Sequence, residues 1–242
     1  FYYRNLVKKL RNDFTIIVPD HIGCGFSDKP QDYPYRLQNH INNLCDLVNF
    51  LDLKNIHLVL HDWGGAIGMG MALRFPERIK AFTILNTASF LLPRIPFRIN
   101  ICKIPIFGEI IIRGFNGFAW PAIYMASRKM GQMTANIKKG YLAPYHDWKS
   151  RIATDIPMKK THPSWEMMVN IENSLAIFKN TPMHIFWGGL DFCFNDQFLA
   201  KWQKLFPNAL LKKYQFAGHY VLEDAKPEIL EDISQWAKKN AQ

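Results

Sequence analysis

The sequence predicts an α/β fold, a mostly parallel sheet with helices on both faces and a helical insertion, on three observations. Short β-branched apolar runs alternate with segments of helical spacing. Glycine- and proline-containing turns end most of those runs. The alternation stops near residue 88 and resumes near residue 165. Strands that alternate with helices need crossover connections, and those connections cover both faces of a parallel sheet.

The elements follow in order. Phe14–Val18 (FTIIV), ended by Pro19-Asp20, reads as a buried strand and leads into the loop DHIGCGFSDKP. Leu37, Ile41, Leu44, Val48 and Leu51 recur at helical spacing, so a helix is expected over Leu37–Leu51. Ile56–Leu60 is the second strand, Ala66–Phe75 a helix stopped by Pro76, and Ala81–Leu85 the third strand. Between residues 88 and 165 the chain carries Pro93, Pro96, Pro105, Pro121 and Pro144, many aromatics, and no strand spacing. A helical insertion is expected there. Beyond it come a helix at Trp165–Phe178, a strand at Met183–Trp187 and a helix at Asn195–Phe206. A strand at Leu210–Tyr214 and a helix at Pro227–Lys238 complete the chain. The expected organisation is a first part of the core at 1–87, a helical cap at 88–165 and a second part of the core at 166–242.

Composition narrows the function classes. With 242 residues, 48% of them hydrophobic, the chain can bury a sizeable core. No apolar run reaches the roughly 20 residues that span a bilayer, and Phe1-Tyr2-Tyr3-Arg4 lacks the order of a secretory signal. Cys24, Cys45, Cys102 and Cys193 form no CxxC, which argues against a zinc site or disulfide framework and for the reducing cytoplasm. No metal or other cofactor is expected. The net charge is +10, and twelve Lys/Arg against Glu109, Asp147 and Asp155 put +9 of it between Ala88 and Trp165. No nucleic-acid module accompanies that charge. It reads either as a solvated helical face or as a surface for anionic lipid or an acidic partner.

The chemistry begins at IHLVLHDWGGAIG, Ile56–Gly68, where a strand runs through a tight turn into a helix. That is the geometry of a nucleophile elbow, with Asp62 at the place of the serine in G-x-S-x-G and Leu60 at the place of the first glycine. Gly64 and Gly65 are expected where a side chain would collide with a neighbouring element. The helix N-terminus beneath Asp62 favours an anion. A carboxylate nucleophile forms an ester or an anhydride, so it needs a histidine held by an acid. FAGHYVLED supplies His219 after the last strand, and HIFWGGLDFCF supplies Asp191 after the strand before it. The Trp63 indole is a donor that can hold a leaving anion or a carbonyl oxygen, or its ring packs the pocket wall. Its backbone N–H would form half of an oxyanion hole in either case.

HDWGG, PDHIGCGFSDKP, Asp191 and His219 together resemble the haloalkane dehalogenase branch of the α/β-hydrolases. Some members carry the acid after the strand that follows the elbow. This chain reads Leu85-Asn86-Thr87 there, so the acid falls to Asp191. NTASFLLPRIPFRINICKIP, RGFNGFAW, KKGYLAPYHDWKSRIATDIP and LDFCFN are similar to the cap of the olefin-forming β-lactone decarboxylases. These relatives of the dehalogenases convert cis-3-alkyl-4-alkyloxetan-2-ones to cis-alkenes and carbon dioxide. The resemblance implies attack by Asp62 on the lactone carbonyl or a ring carbon, management of proton or charge by His219 held by Asp191, and leaving-group binding by Trp63. It also implies a small lipophilic substrate and assembly with enzymes of the same pathway.

Phe90, Phe97, Phe107, Phe115, Phe118, Trp120 and Tyr124 could line a pocket for two alkyl chains, or form ordinary cap core. A true haloalkane dehalogenase would use the same three residues, with His219 activating water. An epoxide hydrolase would need cap tyrosines, for which Tyr124, Tyr141 and Tyr145 are available. A non-catalytic docking role for the basic insertion is the alternative of another class. In the family a His-Gly-x-Pro segment precedes a FYYRNLV-like helix, at which this chain begins. The expectation is therefore a sheet without its first three strands, lacking half of the oxyanion hole. Unpaired buried groups at about 1–3 kcal/mol each, against a net stability of about 5–15 kcal/mol, would leave such a chain poorly stable and weakly active.

Overall fold

Four parallel strands in the order β1-β2-β3-β4 form the frame: β1 (Ile56–Asp62), β2 (Ile79–Thr87), β3 (Met183–Gly188) and β4 (Leu210–Tyr214). The computed structural model describes residues 1–92, 110–153 and 164–240. Register pairs Leu60 with Ile84 and Asp62 with Thr87, Ile84 with Ile185, and Gly188 with Tyr214. The C-terminal ends of all four strands therefore lie along one rim.

Side chains alternate across the sheet, as the two-residue period requires. Phe82, Ile84, Ile185 and Trp187 face a core built with α2 (Leu37–Phe50) and α3 (Trp63–Ala72). Leu85 and Phe186 face the opposite core, with α1 (Arg4–Leu10). Further helices follow the chain: α4 (Ala119–Met125), α5 (Ala135–Leu142), α6 (Trp165–Ser174), α7 (Asp196–Leu205), α8 (Val221–Asp224) and α9 (Glu228–Lys239). Trp202 of α7 packs in the first core, and Ile229 and Ile233 of α9 in the second. Both faces of the sheet are covered.

The predicted strand at Phe14–Val18 is a correction. The segment is irregular, and Ile17 and Val18 are exposed. β1 closes the described sheet on that side, so Phe14–Val18 has no strand beside it to share a ladder and border a slot along the β1 edge instead. The elbow helix differs from its expected bounds as well. It begins at Trp63, three residues earlier than Ala66, and ends at Ala72.

The described part of 88–165 holds helices and no strand. A π-helical turn spans Ile110–Gly114, and Thr134 caps α5 by accepting the Ile137 N–H. Pro93, Pro96, Phe97, Cys102, Pro105, Phe107, Glu109 and Asp155 lie outside the described residues. No helix among the described residues is long and apolar enough to cross a membrane.

Candidate active site

Asp62 sits where β1 turns into α3, with φ 49° and ψ −130°. An L-residue in that conformation costs of order 1–3 kcal/mol and persists only where its surroundings enforce it. Thr87 enforces it, because its hydroxyl donates to the Asp62 carbonyl oxygen from the next strand. Gly65 makes this approach possible: a Cβ there would lie 1.9 Å from Thr87 Oγ1. Gly64 behaves differently from expectation, since a Cβ there would meet nothing within 4 Å. One glycine of the pair serves the close packing and the other does not.

Asp191 and His219 meet above the same rim. His219 Nδ1 lies 2.8 Å from Asp191 Oδ2, and Asp191 Oδ1 accepts the Cys193 N–H at 2.6 Å. Both side chains are buried, which keeps the pair from being screened by water. The Asp191 loop is fixed from β4, as Gly189 N–H donates to Tyr214 O and Leu190 N–H to Ala217 O, both at 2.9 Å. Asn86 fixes it from β2, donating to Gly188 O at 3.0 Å and accepting the Gly188 N–H at 2.7 Å.

Asp62, Trp63 and His219 line one cavity of about 1140 Å³, which runs from the slot beside β1 to the inner face of α4. Burial raises the pKa of the half-buried Asp62 against the pull of His219, with Asp191 adding to the rise and the Trp63 N–H opposing it. For His219, burial disfavours the imidazolium, but the charge and hydrogen bond of Asp191, with Asp62 nearby, outweigh it and raise the pKa. The two carboxylates thus favour the protonated imidazole. Cys24 and Cys193 also line the cavity, yet burial pushes the Cys24 thiol up to about 11 and Cys193 higher still. Both remain neutral thiols near pH 7.

The profile of the α/β-hydrolase fold matches residues 1–100. A cis-3-alkyl-4-alkyloxetan-2-one decarboxylase of Shewanella oneidensis is 44% identical over 96% of this chain and 76% of its own length. A protein of the same name in Xanthomonas campestris is 36% identical over 99% of this chain and 85% of its own. The chain belongs to the cis-3-alkyl-4-alkyloxetan-2-one decarboxylase family. Among solved structures, a haloalkane dehalogenase from Bradyrhizobium elkani superposes with a TM-score of 0.85 over 98% of this chain and 85% of its own, at 22% identity. At that identity the likeness concerns the fold.

Seen as a member of this family, the chain brings together Asp62, His219, Asp191 and Trp63, the four residues singled out in its sequence. The aromatic pocket residues divide. Phe118 lines the cavity, whereas Phe90 is buried in the core against Trp202, and Phe115, Trp120 and Tyr124 are exposed off the cavity. Phe97 and Phe107 lie outside the described residues. Helical geometry explains the α4 residues: Pro121, Ala122 and Met125 turn toward the cavity while Trp120 and Tyr124 point away. Sequence reading missed three supports, Thr87, His61 and the bridging role of Asn86. Their signal is long-range pairing across strands, which no local pattern carries. Among the described residues no group of three or more His, Cys, Asp or Glu is arranged to hold a metal.

Proposed function

We propose that this protein decarboxylates cis-3,4-dialkyl β-lactones to cis-alkenes and carbon dioxide, with Asp62 as nucleophile, His219 and Asp191 as its charged partners and Trp63 as leaving-group donor. The 44% identity to a relative of that name, extending over 76% of its length, carries the reading. The convergence of Asp62 and a histidine–carboxylate pair on one largely apolar cavity supports it.

Attack at the ring carbon bearing oxygen gives a balanced sequence. The Asp62 Oδ–C bond forms as the ring C–O bond breaks, which frees the substrate carboxylate. Loss of carbon dioxide then returns its electron pair to the ring carbons as the alkene and expels the Asp62 carboxylate. No water or proton is consumed, so His219 contributes charge. A histidine whose protonated form is favoured by Asp191 and Asp62 suits that part. Attack at the carbonyl would instead give an anhydride on Asp62. The epoxide hydrolase alternative loses support from Tyr141, whose hydroxyl is committed to Glu223 at 2.8 Å.

The test uses a synthetic cis-dialkyl β-lactone and, in parallel, a 1-bromoalkane, following alkene by gas chromatography and bromide by ion chromatography. Alkene without bromide is the expected result. Bromide without alkene would assign the protein to the hydrolytic dehalogenases. The same reading assigns residues 88–165 to a cap over a core of 1–87 and 166–242, and the protein to olefinic hydrocarbon biosynthesis in the cytoplasm. Exposed Phe115 and Trp120, with Lys138 Nζ 4.6 Å over the Tyr124 ring, suit contact between this basic cap and pathway enzymes or a membrane surface.

A further inference from the structure

Two consecutive acids, Glu223 and Asp224, end α8 immediately behind His219, and both are fully buried. Glu223 has cations for partners, Arg4 and Lys226. Asp224 is held by four donors. Its Oδ2 accepts Gly218 N–H at 2.7 Å and Arg128 N–H at 2.8 Å, and its Oδ1 accepts Ser127 Oγ at 2.5 Å and Lys129 N–H at 3.2 Å. Three of these come from the turn that follows α4, and the fourth from the residue before His219. Only a carboxylate accepts on both oxygens; an amide would turn its NH2 toward two donors.

A separate set of contacts joins the same two segments. Tyr220, the residue after His219, donates its N–H to Ala126 O at 2.8 Å. A Cβ on Gly218 would lie 2.7 Å from that same carbonyl oxygen. The backbone on both sides of His219 is therefore seated against the 126–129 turn. The helix leading into that turn presents Pro121, Ala122 and Met125 to the cavity.

We propose that Asp224 is a positioning residue that locks the 126–129 turn onto the loop carrying His219, so that the imidazole and the α4 wall of the pocket are set together. Loosening this lock turns His219 away from Asp191 and leaves Asp62 in place. A misplacement of about 1 Å is enough to cost roughly 10²-fold in rate. The activity readout rests on the β-lactone reading above; a spectroscopic readout does not.

Asp224→Asn and Gly218→Ala are the variants. The low-field proton resonance of His219 Nδ1–H, assigned by its loss in Asp191→Asn, is followed together with kcat and KM on a dialkyl β-lactone. In both variants the resonance should broaden or vanish, and kcat should fall at least about tenfold while KM stays within about threefold. A folded Asp224→Asn protein with the wild-type resonance and a kcat within about twofold overturns the proposal, even if its Tm drops. Should Asp224→Asn not fold, Gly218→Ala decides by the same measurements, since it keeps the carboxylate and presses the Ala126 carbonyl and Arg128 of the turn away from the His219 loop. If the wild type yields no alkene from the lactone, the β-lactone reading falls and the resonance alone decides the role of Asp224.

Discussion

His61 donates from Nε2 to the carbonyl oxygen of His219 at 2.9 Å, so the residue before the elbow aspartate holds the backbone of the residue that carries the imidazole. A carbonyl only accepts, which places the proton on Nε2. Burial, with His219 close by, holds the His61 pKa well below its usual value, so the ring is neutral near pH 7. Tyr2 packs against it at 4.4 Å between centroids. His61→Phe keeps a ring beside Tyr2 and removes the donor. The carbonyl keeps the Val221 N–H at 2.9 Å, so losing the second donor should cost about 0.5–1.5 kcal/mol of stability, read by denaturant titration. Turnover should fall with it; unchanged stability and unchanged kcat would show that the contact has no weight.

His219→Gln and Asp191→Asn both disturb the charge beside Asp62, and each should lower kcat about 10²–10⁴-fold. In His219→Gln an adduct on Asp62 should accumulate. On intact-protein mass spectrometry it should equal the whole lactone, because ring opening by Asp62 is an addition. Absence of any adduct under single turnover, with the mass of Asp62 peptides unchanged, would remove Asp62 from the nucleophile's place.

The two elbow glycines should respond oppositely. Gly65→Ala drives a Cβ into the Thr87 hydroxyl that holds the Asp62 backbone, at a cost of about 1–3 kcal/mol. Gly64→Ala meets open space inside α3 and should gain up to about 1 kcal/mol from helix propensity. Thermal unfolding of the two variants checks the pair, and equal losses would contradict it.

Acid should destabilise the fold before its carboxylates titrate. Burial pushes His57, whose Nε2 meets Thr83 Oγ1 at 2.9 Å, down to about 4. It pushes His184 down to about 4 as well, with Asp232 pulling the other way and Lys212 adding to the drop. Unfolded, both take up a proton near pH 6.5, so the unfolded chain binds more protons between pH 6.5 and 4. Stability should therefore fall as pH falls through that window. His219 has the opposite sign: its raised pKa contributes stability below pH 6.5 that is lost as pH rises through the folded value. His57→Gln should flatten the acid limb of a Tm–pH curve, and a slope identical to wild type would sink this account.

Much of the candidate site was legible because its signals are local. A nucleophile elbow is a strand, a pinched turn and a helix in thirteen consecutive residues. Asp191 and His219 each announce themselves at the end of a strand. Phe14–Val18 misled for the converse reason: a β-branched run is only a strand if another strand lies beside it, and pairing is not a property of the run.

By itself, then, the sequence determined the alternation of strands and helices and the family, and it singled out Asp62, Asp191, His219 and Trp63 as candidates, because local spacing and side-chain chemistry carry each of these. The tertiary structure alone decided which neighbours hold them. Thr87 reaches the Asp62 backbone only because β1 and β2 pair in register. Asn86 bridges to Gly188 across 102 residues, and Asp224 gathers Ser127, Arg128 and Lys129 from the turn after α4. Those contacts depend on distances between remote segments, which packing of the whole chain sets and no stretch of residues contains.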